Sequence, residues 1–248
     1  MTSDICVMQH DKFLEVRFQR EAKKNAITSD MYRAMTLALS DVSSDSENCA
    51  ILFTAAGTDF CAGNDIVEFA ADAESSNEGL EFIRAIAHCE KPIIAAVQGL
   101  AVGIGTTMLF HCDLIFAAPN ARFIVPFVDL GLVPEAGSSL LAPIVLGNAR
   151  ASRMLLLGEP LDADEAAKAG FVSALTPLDE LSHRARSAAA MLASKPPEAL
   201  AATRRLLRGD RSHILARIDA EAALFERALR SSEAKKAFVA FMKGNCSG

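Results

Sequence analysis

The chain has 248 residues, of which 51% are hydrophobic, 23% charged and 6% aromatic. That length and apolar content can bury one large core or two small ones, and they exclude disorder over any long stretch. A formal charge of −6 argues against nucleic-acid binding by broad phosphate neutralisation, but an anionic small ligand held by a few local cations stays open.

In chain order, the opening MTSDICVMQHDKF carries no basic segment followed by an apolar run, so no secretory signal is read. Residues 13–18 (FLEVRF) read as a strand. Residues 25–40 read as a loop entering a helix, with Thr28 or Ser29 as the cap and Asp30 in the positive first turn. Residues 49–54 (CAILFT) form a short apolar run typical of a buried strand, followed by the glycine-punctuated loop TAAGTDFCAGNDI. A helix is expected over 78–89 and a buried strand over 91–97 (KPIIAAV), after which QGLAVGIG leads into TTMLFHCD at a strand-to-helix junction. Residues 114–118 and 123–127 supply two further strands. The second half reads as helices over 138–146, 149–157, 162–169, 178–194, 197–208, 211–230 and 232–243, broken by Gly158, Gly170, Pro177, Pro196, Pro197 and Gly209.

Repeated βα units followed by helices imply an α/β core. Residues 1–195 are expected to form that core and 196–248 a helical part of the same domain. No apolar run approaches the roughly 20 residues of a membrane helix. The six cysteines lack paired spacing, which fits reduced thiols in a cytoplasmic setting.

Three motif readings fail. Met108 stands where a dinucleotide fingerprint after Gly103-x-Gly105 requires glycine, and no Gly-Lys-Ser/Thr is present. The histidines at 10, 88, 111, 183 and 213 have no metal-ligand spacing, and His111 reads as a core histidine. No G-x-S-x-G elbow exists.

Two loops share a physical logic. In FCAGNDI, the small Ala62 and Gly63 let backbone approach a ligand and leave the amide of Asn64 free to donate. In GLAVGIG, the amide of Ile104 lies at a glycine-rich turn before a helix start. Free amides in positive potential suit a developing oxyanion. On spacing alone, the same glycines fit simple tight turns equally well.

The blocks FCAGNDI, KPIIAAVQGLAVGIG, CDLIFAAPNARF, GLVPEAGSS and AKAGFV resemble, in order from about residue 25 to 243, the enoyl-CoA hydratase/isomerase family, the crotonases. The resemblance implies a spiral of ββα units with C-terminal helices that support a homotrimer or a dimer of trimers. It implies an acyl-CoA thioester substrate whose carbonyl is held by two backbone amides, here those of Asn64 and Ile104, with no cofactor beyond the coenzyme A of the substrate. The position of Ile104 is usually glycine, so its side chain is expected to narrow or redirect the acyl pocket. Lys24, Ala26, Ala62, Gly63, Asp65, Ile66 and Lys243 are placed around the substrate, with Arg20, Lys23, Lys24 and Lys243 as candidate partners for the CoA phosphates. Asp65 is expected to stabilise its loop as a hydrogen-bond acceptor.

The departures from the family pattern point to a reaction. Two glutamates activate water in the hydratases, and their positions match Thr107 and Phe127 here; neither residue can act as an acid or base. Glu135 in VPEAGSS falls where proteins similar to the peroxisomal-type Δ3,Δ2-enoyl-CoA isomerases keep their catalytic acid/base, and Asp129 is the nearest alternative acid. By itself, a glutamate after Pro134 in a first helical turn needs no more explanation than the helix macrodipole. With the resemblance, the expectation is an isomerase moving a β,γ double bond to α,β. Hydration, ring-opening isomerisation of an aromatic-derived acyl-CoA, and non-catalytic acyl-CoA or RNA binding are the alternatives.

Overall fold

The computed structural model describes residues 4–44, 49–71 and 77–245, with backbone only at 43–44, 69–71 and 241–245. Its strands form two sheets. Strands β1 (Ile5–Gln9), β2 (Phe13–Phe18), β3 (Ala50–Ala55), β4 (Ile93–Val97), β6 (Leu114–Ala117) and β9 (Ala174–Leu175) form a six-stranded sheet in the order β1-β2-β3-β4-β6-β9. Only the β1–β2 pair is antiparallel. Strands β5 (Leu100–Val102), β7 (Arg122–Ile124) and β8 (Leu161–Asp162) form a second sheet. From β4 onward the chain steps from one sheet to the other and back, which is the expected spiral.

Helices α1 (Ser29–Ser44) and α3 (Glu78–His88) pack on each other above the main sheet. Thr28 caps α1, its hydroxyl accepting from the Met31 amide at 3.3 Å. The short helix α2 (Ile66–Ala71) lies between them in sequence. Helix α4 (Ile104–Thr107) runs into a 3₁₀ turn over Met108–His111, where a single longer helix was expected. Helices α5 (Ser138–Leu146), α6 (Asn148–Leu157), α7 (Ala163–Lys168), α8 (Leu178–Ala193), α9 (Pro197–Arg208), α10 (Ser212–Leu229) and α11 (Ser232–Asn245) follow the predicted succession.

Helix α8 covers the second face of the main sheet. Leu181, Ala185 and Ala189 pack there against Leu52, Ile94 and Phe116. The buried Glu15 anchors it, accepting two hydrogen bonds from Arg186 at 2.8 and 2.9 Å. Helix α10 packs on α3 and α5, which brings a C-terminal helix over the first face of the spiral.

Some boundaries differ from expectation for local reasons. The strand read over 123–127 ends at Ile124, because Pro126 has no amide to continue a ladder and Phe127 enters a 3₁₀ turn over Val128–Leu130. Strands β1, β5, β8 and β9 were not expected, and the last three are two or three residues long. Runs that short carry no periodicity to read.

Candidate active site

Strands β3 and β4 lie side by side, and the loops after them stay in register. Cys61 and Ala101 form a parallel bridge, with the Cys61 amide donating to Leu100 at 2.9 Å and the Val102 amide to Cys61 at 2.8 Å. Asn64 and Ile104 each follow that bridge by three residues, so the two amides are carried forward together. Among the described residues, neither amide has a hydrogen-bond partner. The glycines let the loops touch. A Cβ on Gly63 would stand 3.2 Å from the Val102 carbonyl oxygen, and one on Gly105 only 2.8 Å from the Cys61 Cβ. Burial pushes the intervening Cys61 thiol up to about 12, so it stays protonated.

Several predicted residues hold this loop pair. The Lys24 carbonyl accepts the Ala62 amide at 2.9 Å, and the Lys24 side chain is exposed. The Ala26 carbonyl accepts from Arg20 at 3.0 Å, and the same guanidinium nitrogen reaches Asp65 at 2.7 Å. Asp65 also accepts from the amides of Val67 at 3.1 Å and Glu68 at 3.3 Å, capping α2. Burial raises the Asp65 carboxyl, but Arg20 and the Glu68 and Val67 amides outweigh it and hold it below the usual range. Asp65 is therefore ionised and its oxygens are engaged, and Arg20 is engaged with it. Ile66 is half-buried against the core. Lys243 lies on the last turns of α11, and its side chain falls outside the described residues.

The Ile104 side chain corrects an expectation. It is 1% exposed, belongs to the main core and does not line the cavity beside the loops.

A cavity of about 480 Å3 opens beside the loops, bounded by α1, α3, α10 and the segment before α5. Asn64, Asp65 and Glu135 lie on its wall, with Tyr32, Leu80, Ile83, Ala222 and Phe225 supplying much of the rest. Five carboxylates face it: Asp65, Glu68, Glu135, Asp219 and Glu226. Four are tied down. Glu68 accepts from the Ser29 amide, Asp219 pairs with Arg84, Glu226 pairs with Arg230, and Asp65 pairs with Arg20.

Glu135 differs in kind. Among the described residues its one side-chain partner is the Thr107 hydroxyl, at 3.5 Å. Burial, then the negative charge of Glu221, raises its carboxyl to about 8 against the small opposing effect of Thr107. An acid without a cation, in a cavity wall, is the arrangement expected of a proton-transfer group. Phe127, in the other hydratase position, is buried and meets Phe225 edge-on at 6.0 Å. Asp129 is exposed on the 3₁₀ turn near Gly158 and does not line the cavity.

Three residues around this centre were not read as functional from the sequence. Tyr32 donates to the Asn64 side-chain oxygen at 2.5 Å, and its burial, then Glu135 and Cys61, raises its hydroxyl well above the ordinary value. Glu221, 4% exposed on α10, accepts from the amides of Gly137 at 2.6 Å and Ser139 at 2.9 Å, at the start of α5. His111 donates to the Ala136 carbonyl at 2.8 Å. Ala136 sits at φ +58, a left-handed conformation that costs a non-glycine residue on the order of 1 kcal/mol. No local signal marks Tyr32, Glu221 or His111, because each acts across more than 20 residues of sequence.

The enoyl-CoA hydratase/isomerase family profile matches residues 9–245. Rattus norvegicus enoyl-CoA delta isomerase 2 is 34% identical over 92% of this chain and 60% of its own length. Mus musculus enoyl-CoA delta isomerase 3, peroxisomal, is 32% identical over 94% of the chain and 77% of its length. The chain thus spans somewhat over half the length of the rat relative. The crystal structure of an enoyl-CoA hydratase/isomerase from Pseudoalteromonas atlantica T6c superposes with a TM-score of 0.94 at 37% identity, covering 98% of each chain.

Proposed function

The chain belongs to the enoyl-CoA hydratase/isomerase family, and from that premise we propose that it moves the double bond of a 3-enoyl-CoA to the 2-position. The observation that carries the proposal is Glu135, among the described residues the one cavity carboxylate with neither a cation nor an amide at its oxygens, with Thr107 and Phe127 standing where the resemblance puts water-activating glutamates.

The chemistry follows from these groups. The thioester carbonyl accepts the amides of Asn64 and Ile104. An α-proton flanked by that carbonyl and the β,γ-alkene is acidic, and the Glu135 carboxylate takes it. The C–H electron pair passes into a dienolate whose negative charge collects on the thioester oxygen. Two preorganised amides stabilise that oxygen, and losing one such donor typically costs about 3–4 kcal/mol. Glu135 then returns the proton to the γ-carbon, leaving the double bond between the α- and β-carbons. One carboxylate suffices, because the proton removed is the proton returned. Hydration requires a second group to orient water, and Thr107 and Phe127 do not supply it. In this reading the reaction needs no cofactor apart from the coenzyme A its substrate carries.

A pKa near the working pH suits the role, since the same group must accept a proton and release it within one turnover. The apolar stretch from Leu80 and Ile83 to Ala222 and Phe225 is placed to hold the acyl chain.

The test supplies purified protein with trans-3-hexenoyl-CoA and with trans-2-hexenoyl-CoA, following double-bond migration and hydration separately. Isomerisation of the first without appreciable hydration of the second is expected. Hydration of the second without isomerisation of the first overturns the proposal. Glu135→Gln is expected to lose roughly 10²–10⁴-fold in kcat with acyl-CoA binding retained by calorimetry.

A further inference from the structure

His111 is fully buried, and both of its ring nitrogens are engaged. It ends the 3₁₀ turn Met108–His111 that continues directly from α4, the helix that begins with Ile104. One rigid segment therefore carries an oxyanion-site amide at its start and the imidazole at its end. From there Nε2 reaches the carbonyl of Ala136, the residue next to Glu135, at 2.8 Å.

The tautomer is set by its neighbours. A carbonyl only accepts, so Nε2 carries the hydrogen. The Arg211 guanidinium only donates, and it lies 2.9 Å from Nδ1, which is therefore the acceptor. A second ring proton would face that guanidinium. Burial, then Arg211 and Arg208, pushes the imidazole down to about 3 despite its bond to Ala136, so the ring is neutral throughout the useful pH range.

The bond falls on a segment that needs holding. Ala136 at φ +58 and Gly137 at φ +72 turn the chain sharply between Glu135 and α5. A left-handed alanine persists only where its surroundings fix it. Glu221 holds the amides on the far side of this turn, and His111 holds the carbonyl on the near side.

We propose that His111, locked as the Nε2–H tautomer by Arg211, is a positioning residue that fixes the Glu135 carboxyl relative to the two amides of Asn64 and Ile104. The inference rests on the reading of Glu135 as the proton shuttle. Because His111 and Ile104 share one segment, a displacement of the oxyanion site and a displacement of the base are coupled through it. Transfer of a proton between two carbons by one carboxyl requires its place to be fixed to within about an ångström, and a misplacement of that size costs about 10²-fold.

The full chain with His111→Phe keeps a flat ring but loses the donor, and kcat on trans-3-hexenoyl-CoA is expected to fall roughly 10- to 100-fold with KM changed less than about threefold. His111→Gln, whose amide can reach the same carbonyl, is expected to recover most of that loss. An unchanged kcat in His111→Phe, or a His111→Gln as impaired as His111→Phe, overturns the proposal. Should His111→Phe fail to fold, Arg211→Met leaves the Nε2–H bond to Ala136 possible but removes the guanidinium that anchors the ring through Nδ1, so the imidazole keeps one of its two anchors. That variant is expected to lose several-fold in kcat, and an unchanged kcat overturns the proposal. The Glu135 titration, followed by infrared difference spectroscopy on substrate-free protein, separates this inference from the assigned reaction. In His111→Phe the midpoint is expected to drop from near 8 as the carboxyl turns towards solvent. A wild type that does not isomerise defeats the assigned reaction, whereas an unmoved midpoint defeats the role of His111 whatever the reaction proves to be.

Discussion

The two walls of the site are built by different means. The wall proposed to hold the oxyanion is made of backbone, with Asn64 and Ile104 three residues beyond a parallel bridge and glycines allowing the loops to meet. The wall proposed to carry the base is made of side chains, with Glu135 just before a left-handed turn that His111 holds from one segment and Glu221 from another. Backbone places an amide through strand register and main-chain hydrogen bonds, such as that from the Ala62 amide to the Lys24 carbonyl, and not through the aim of a side chain. A carboxyl at the end of a flexible side chain has no register, and packed neighbours must fix it.

This contrast predicts how each wall fails. On the oxyanion wall a single methyl group is enough. Gly105→Ala places a Cβ 2.8 Å from the Cys61 Cβ and 2.9 Å from its carbonyl oxygen, so the bridge must open and the Ile104 amide must shift. A loss of about 10²–10³-fold in kcat is expected, the magnitude of losing one oxyanion donor. Steady-state kinetics check this, and a Gly105→Ala enzyme at wild-type rate would show that the amide is not used.

The base wall responds to charge more than to shape. In the proposed reaction Glu135 acts as a base only when ionised, so kcat/KM should rise about tenfold per pH unit below a midpoint near 8 and level off above it. Glu221 contributes to that midpoint by repulsion, and Glu221→Gln keeps an acceptor for an α5 amide while removing the charge. The midpoint is expected to move to lower pH, with kcat reduced up to about tenfold through the weakened cap. A midpoint that stays in place means burial alone sets it. The same shift has a consequence for stability. The folded Glu135 pKa is raised, so the native state holds its proton more tightly than the unfolded chain. The stability this contributes is complete below the ordinary carboxyl pKa of 4.5 and is lost as pH rises through about 8. Glu135→Gln should therefore resist thermal unfolding better than the wild type at pH 9, with no such advantage at pH 4.

The smallest effect belongs where the walls meet. Tyr32 ties the Asn64 side chain without touching its amide. Tyr32→Phe removes one hydrogen bond, of about 1 kcal/mol, and should lower kcat only two- to tenfold. A loss as large as that of Gly105→Ala would mean that the Asn64 side chain, and not the register of its loop, positions the amide.

The same contrast explains what could be read in advance. Residues 13–18, 78–89 and 178–194 announce themselves through apolar periodicity and breakers, and the structure places elements at each. Gly63, Gly103 and Gly105 signal tight backbone because glycine is the residue such turns require. The sequence does not say that a short α4 turns the Ile104 side chain into the core. Asp65 and Arg20 were legible as types, but their mutual engagement, 45 residues apart, was not.

By itself the sequence determined the succession of elements and the two glycine-rich loops, and its family resemblance pointed to one acid, Glu135, where Thr107 and Phe127 replace two others. Those are local properties, dictated by propensity, turn stereochemistry and residue identity. The tertiary structure alone decided that Glu135 lies in a cavity wall beside Glu221, with no cation among the described residues paired to its carboxylate, that His111 and Arg211 converge behind it, and that Tyr32 reaches Asn64. The pKa and the aim of a carboxyl are set by which charges and dipoles stand within a few ångströms of it. Here those neighbours arrive from segments separated by tens of residues, through packing that no local pattern encodes.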